Sequence, residues 1–261
     1  MPKTRIPLLA LLLLAALPAP AQPVGFLSEA SWWPTGPTGS VQVSGLTSPS
    51  GGSESIVVDL ESDLHFGKRN IFPLGVRFLR PSWRLEAEYL DTTWSADSLL
   101  TRDFIYQGVT YHAGDIVASA AKMRDISGGF RFELPLGPYA SVGAGVDADA
   151  LRIEAAITDV TQSVSASDTR NLVVPTGAAS LNVHDSTRRF WVDVKAGYVS
   201  YQGSKAQKGR VELGWGLSSS VGLKLGWRLL EVTYLKDRGA APEDRVTVRL
   251  DGYTAGLFAN F

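Results

Sequence analysis

Cysteine is absent from the 261 residues. Disulfides, thiolate metal sites and a lipid-modified N-terminal cysteine are therefore excluded. No excess of either charge exists: 25 basic side chains face 26 acidic ones, which gives no reason to expect a nucleic-acid partner. Beyond the first 21 residues no apolar run approaches 18 residues, so the remainder offers no membrane-spanning helix. Walker, Rossmann, zinc and calcium-loop patterns are missing as well, and no cofactor is expected. No fixed-period repeat and no second domain stand out.

What is present begins with "MPKTRIPLLALLLLAALPAPA". Lys3 and Arg5 precede an apolar stretch that ends on Ala19-Pro20-Ala21. A short positive region, an h-region and an A-x-A site predict a Sec-type signal peptide over 1–21. Residues 22–53 are rich in Pro, Gly and Ser and show no sustained period, which predicts a flexible leader. Trp32-Trp33 interrupt that composition and are expected to ride on a mobile tail, with plugging of the barrel or docking at its rim as the alternative.

From residue 54 onward the pattern is alternation. In "RFWVDVKAGYVS", Phe190, Val192, Val194, Ala196 and Tyr198 share one face and Trp191, Asp193 and Lys195 the other. "WRLEAEY", "DISGGFRFEL", "YASVGAGVDADA" and "GRVELGWGLS" repeat it. A period of two puts these sets on opposite sides of a sheet. A soluble sandwich alternates too. Strand length, aromatics near strand ends (Trp83, Tyr139, Tyr198, Tyr201) and short connections alternating with long ones favour a membrane barrel.

The prediction is an all-β protein: an antiparallel up-and-down transmembrane β-barrel over residues 54–261. Its ten strands are placed near 54–64, 72–80, 82–95, 116–134, 138–157, 172–183, 188–201, 208–218, 221–236 and 244–261. Eight strands result if the hairpin 54–80 stays out of the wall. Phase breaks at Leu151, Leu230 and Leu250 are attributed to bulges or to extension of the strands above the bilayer.

With the strands placed, the ending "DGYTAGLFANF" acquires meaning: Tyr253, Ala255, Leu257, Ala259 and Phe261 hold alternate positions. With the signal peptide and the long alternating strands, it resembles the integral outer-membrane β-barrel proteins of Gram-negative bacteria. The resemblance implies location in the outer membrane among its lipids, lipopolysaccharide included. It also implies that the barrel-assembly machinery reads Tyr253, Leu257 and Phe261 as an insertion signal. Alanine at two outward positions departs from the larger residues usual there.

The predicted lumen charges are Asp59, Glu61, Asp63, Arg84, Glu86, Glu88, Arg131, Asp193, Lys195, Arg210, Glu212 and Arg228, joined by Arg77, Asp125, Glu133, Asp147, Asp149, Arg189, Lys224 and Glu231. Charges crowded into a small lumen must pair, because unpaired burial carries a large desolvation cost. Ten strands leave at most a narrow path, since open porins use 16–18. The expected function is structural, or limited passage of small solutes, without catalysis. One alternative is an enzyme acting on lipid A or peptides at the rim. His65, His112 and His184 are its few candidates, and consecutive His184-Asp185-Ser186 cannot converge as a triad. The other is surface recognition through the stretches 96–115 and 158–171. Within the first, Phe104–Tyr111 around Gln107-Gly108 is expected to form a hairpin that extends the wall.

Overall fold

The computed structural model describes residues 25–47, 53–236 and 244–261. The expected signal peptide lies outside them. The described chain forms fifteen β-segments: β1 (Gly25–Thr35), β2 (Thr38–Thr47), β3 (Ser53–Asp59), β4 (Arg69–Ile71), β5 (Leu74–Leu79), β6 (Trp83–Leu99), β7 (Phe104–Tyr106), β8 (Val109–Tyr111), β9 (Ile116–Pro135), β10 (Ala140–Asp159), β11 (Val164–His184), β12 (Phe190–Tyr201), β13 (Ser204–Gly216), β14 (Val221–Lys236) and β15 (Asp244–Asn260). Apart from the β7–β8 hairpin they make one antiparallel sheet, closed by pairing of β1 with β15.

The wall has ten positions. β1 and β2 form the first, because both run along β15: Leu27–Trp32 oppose Asn260–Ala255, and Thr38–Gln42 oppose Arg249–Arg245. β3, β4 and β5 form the second, pairing in turn with β2 and β1. β6 and β9 to β15 supply the other eight. The ten-strand expectation stands, but its first two members change. The expected strands 54–64 and 72–80 share one wall position, and the stretch expected to be a leader contributes the other through residues 25–47. Pro34, Gly36 and Pro37 break that strand in two, since proline donates nothing to a ladder. Trp33 is accordingly fully buried and not on a mobile tail.

Four short connections, 80–82, 136–139, 185–189 and 217–220, gather at one rim with both ends of the wall, here the turn end. The opposite loop end carries the longer excursions 60–68 and 100–115. The stretch 158–171 and the gap between the expected strands 188–201 and 208–218 are mostly strand: the first contains only the turn 160–163 and the second only the turn 202–203. β10 pairs with β9 and β11 without a register shift through Leu151, as does β14 with β15 through Leu230 and Leu250. The phase breaks are thus not bulges. The strands run on and their two faces change character.

The closing seam is tight at Gly256. A Cβ there would meet the Ala30 carbonyl oxygen at 2.3 Å and the Ser31 Cα at 3.0 Å, both on β1. Gly256→Val is expected to abolish the compact form that shifts in gel mobility on boiling, whereas outward-facing Ala259→Val retains it. Equal mobility shifts for both variants would contradict the seam as described.

Candidate functional site

Outside, the turn-end half of the wall is apolar. Along β10 the outward positions from Ala140 to Ala150 are Ala or Val, a span of 11 residues against the ~9–11 that a tilted strand needs to cross a bilayer. Aromatics border it at both edges. Trp83, Tyr139, Phe190, Trp215 and Phe261 stand at the turn end, and Trp32, Tyr89, Tyr198, Trp227 and Tyr253 six to eight residues higher along their strands. Phe261 continues the β1–β15 ladder by exchanging backbone hydrogen bonds with Phe26 at 2.9 and 3.2 Å.

Above that level the exterior turns polar. Asp91, Arg124, Arg152 and Asn171 stand side by side across β6, β9, β10 and β11, and Gln207, Glu231 and Arg249 across β13, β14 and β15. Several are paired, as in Arg124–Asp91 at 3.2 Å and Lys205–Glu231 at 3.1 Å. Glu231 therefore faces outward, contrary to expectation, and Arg189 lies exposed in the turn 185–189.

The interior reverses this order. Inside the apolar belt lies a network of paired charges that crosses the lumen. Glu86 on β6 reaches Arg131 on neighbouring β9 at 3.0 Å and, across the lumen, Lys195 on β12 at 3.1 Å and Arg210 on β13 at 3.3 Å. Arg84 binds Glu133 at 2.7 Å and Asp193 at 2.6 Å. Asp147 joins Arg131 at 2.7 Å and Lys195 at 2.8 Å. Lys224 bridges Glu29 at 2.8 Å and Glu212 at 3.0 Å, and Arg77 contacts both carboxylates. Arg228 pairs with Glu88, and Lys208 with Asp149. Arg131 and Asp193 are fully buried, and most of the rest nearly so. The space left within the network is about 40 Å³, room for a few waters at most. Below it, a vestibule of about 380 Å³ opens at the turn end among Arg80, Arg84, Arg188, Trp191 and Asn260.

Besides Glu231 and Arg189, three more of the predicted lumen charges are elsewhere. Asp59, Glu61 and Asp63 belong to a turn at the loop end. The Asp59 carboxylate accepts from the Glu61 and Ser62 amides at 2.9 and 2.7 Å, and Asp63 accepts from the Asp59 amide and pairs with Arg102. Alternation misplaced them because the chain leaves the wall after Asp59 and coils, so its inward residues become Leu60, Leu64 and Phe66.

Over the charge network lies an apolar septum. Trp33, Leu90, Leu151, Leu230 and Leu250 are all buried, with Leu230 opposite Leu250. The Arg228 guanidinium lies 4.9 Å from the centre of the Trp33 ring and so joins the two layers. Beyond the septum is a chamber of about 130 Å³, walled by Trp94, Ala121, Met123, Ile153, Ala155, Ile157 and Val246. Its roof is the turn bearing Leu60, Leu64 and Phe66 together with the β7–β8 hairpin. Gln107 and Gly108 both have positive φ, as a two-residue hairpin turn requires. The hairpin forms as expected but does not extend the wall. Phe104 stacks on Tyr111 at 5.1 Å, both are buried, and the Tyr111 hydroxyl donates to the Ile157 carbonyl at 3.0 Å. One flank of the chamber is polar: Asp168 and Arg170 pair at 2.6 Å near the Tyr106 hydroxyl. Burial, reinforced by Asp168, pushes Tyr106 up to about 12, so it remains a neutral hydroxyl.

The histidines fall on separate elements. His65 ends the roof turn, His112 lies 3.7 Å from Asp103 in an exposed loop-end pair, and His184 sits at the opposite rim with its Nδ1 2.9 Å from the Asp185 carbonyl. Asp63, two residues before His65, is engaged by Arg102.

No protein-family model matches the sequence, and no curated protein matches it. Solved structures similar to the chain include the outer membrane protease OmpT of Escherichia coli, at 11% identity over 93% of this chain and 98% of that one, with a TM-score of 0.48. The translocator domain of autotransporter NalP from Neisseria meningitidis shares 12% identity over 88% of each chain, with a TM-score of 0.41. Ail, the attachment invasion locus protein of Yersinia pestis, shares 12% over 92% of this chain and 100% of that one, at 0.36.

Glu86 touches four cations. Removing one partner of a buried ionic cluster costs about 3–5 kcal/mol. Glu86→Gln is expected to lower unfolding free energy by that amount in urea titrations of the full chain in lipid vesicles. Glu154→Gln, whose partner Arg152 lies on the exterior, should change it by less than about 1 kcal/mol. Equal effects would contradict the assignment of the network as the structural centre.

Proposed function

We propose that the chain is an integral outer-membrane β-barrel that forms no solute channel and carries out no catalysis, and that it holds a water-exposed, apolar-lined half above the outer leaflet. The observation that carries this reading is the exchange of polarity between the two faces at one height. Tyr253, Leu257 and Phe261 face outward on the turn-end half of β15, and Leu223 and Leu225 on β14 and Trp215 on β13 do the same. Such a continuous apolar belt is far larger than a water-facing surface tolerates. A closed barrel meets the bilayer's demand that every backbone group be paired.

The charge network supports the closed-lumen reading. Its side chains meet across the lumen, and the septum and roof add two further layers above it. Export through a Sec-type signal peptide and reading of the last strand by the assembly machinery are parts of the same proposal. So is embedding among outer-membrane lipids, including lipopolysaccharide. Surface recognition by the 96–115 stretch has less support, because the hairpin's aromatic residues Phe104, Tyr106 and Tyr111 are buried and not presented outward.

Refolded full-length protein in a planar bilayer is expected to show no sustained conductance steps, and fractionated cells should hold it in the outer membrane with a boiling-dependent gel shift. Porin-like steps would overturn the closed lumen. Recovery in a periplasmic extract would overturn the membrane assignment.

A further inference from the structure

We infer that the chamber above the septum is a binding site for a small uncharged molecule, made of one compact apolar ring or a branched alkyl group of similar size and one hydroxyl or carbonyl. A simple anchor needs nothing above the membrane beyond short turns. Here β6, β9, β10 and β11 continue past the apolar belt, and two separate excursions fold inward to roof the space they enclose.

The space follows from the local sequence. Ala121 and Ala155 face each other in register, and Trp94 and Asp168 are their next neighbours across β6 and β11. Two methyl groups stand where the next inward pair below is Met123 and Ile153, and the lumen stays unfilled at that level. The roof cannot collapse into it, because the Tyr111 hydroxyl is fixed to the Ile157 carbonyl and Arg102 ties the hairpin base to Asp63. An apolar cavity of this size stays dry and accepts an apolar guest: about 150 Å³ lined by aliphatic and aromatic side chains is enough for one benzene ring. At about 130 Å³ the chamber fits a single ring and excludes a lipid acyl chain.

The polar flank sets the other half of the specificity. Arg170 is already neutralised by Asp168 at 2.6 Å, so a carboxylate would find no uncompensated cation there to offset its desolvation, and an ammonium no free anion. The neutral Tyr106 hydroxyl remains as the partner for an uncharged hydroxyl or carbonyl. Solute passage plays no part in this inference, so the conductance of the barrel and the occupancy of its chamber are independent results.

The test uses p-cresol with the full chain in lipid nanodiscs, measured by equilibrium dialysis against empty nanodiscs to subtract partition into lipid. Saturable uptake near one molecule per chain is expected. The anion p-toluate, with the same ring and methyl group, should bind at least tenfold more weakly. Ala155→Phe and Ala121→Phe each fill the chamber and should each remove the saturable component, with a retained boiling-dependent gel shift certifying the fold. Uptake no greater than in empty nanodiscs would overturn the inference, as would unchanged binding in a folded filled variant. Binding of p-toluate as tight as that of p-cresol would overturn the uncharged-ligand assignment.

Discussion

Every strand of this barrel has only two faces, and the environments of both change at the same height. That constraint organises the molecule. Where lipid lies outside, apolar side chains must point outward, so the polar complement of each strand is forced into the lumen. Where water lies outside, the same alternation favours the reverse, and the lumen becomes an ordinary hydrophobic core. Arg124 and Arg152 on the exterior and Asp125 and Leu151 on the interior, adjacent in sequence and in register, mark the level at which the roles change.

The lower half meets its side of the constraint through pairing. Charges forced into a lumen of low dielectric are costly unless they meet a partner of opposite sign. Glu86, Asp147 and Asp193 each serve more than one cation, and the cations come from distant strands. The network therefore stitches opposite walls together as well as filling the space between them. In a ten-stranded barrel this leaves room for little else, which is why closure and stability have the same origin here.

Much of this was legible in the sequence, and the failures have physical reasons. Alternation located the strands from β6 onward, and it sorted Glu86, Arg131, Asp193 and Arg210 onto the inner face because a period of two permits nothing else. It failed at residues 25–47, where prolines and glycines break the pattern and Ser28 and Ala30 stand among the outward positions, so that little apolar contrast remains. It failed again at Asp59, Glu61 and Asp63, since a period carries no sign of the residue at which the chain leaves the sheet. The strands flanking 160–163 were read as loop for a third reason. Above the membrane polar residues occupy the outward positions, and small ones such as Ala166 give the inner face little hydrophobic signal. The chamber was not legible at all, because it arises from two alanines on neighbouring strands beneath a hairpin that folds inward.

The absence of cysteine allows the central claim to be measured without altering a native thiol. Single cysteines placed in turn at Val146, Ala148, Ala150, Arg152 and Glu154 on the outer face of β10 can each carry a nitroxide spin label in reconstituted protein. Collision rates with oxygen, which concentrates in lipid, and with a water-soluble nickel chelate then report the surroundings of each position. The account predicts oxygen-dominated relaxation through Ala150 and chelate-dominated relaxation from Arg152 onward. Chelate access along the whole series, or lipid exposure continuing past Glu154, would contradict an exchange of faces at one membrane level.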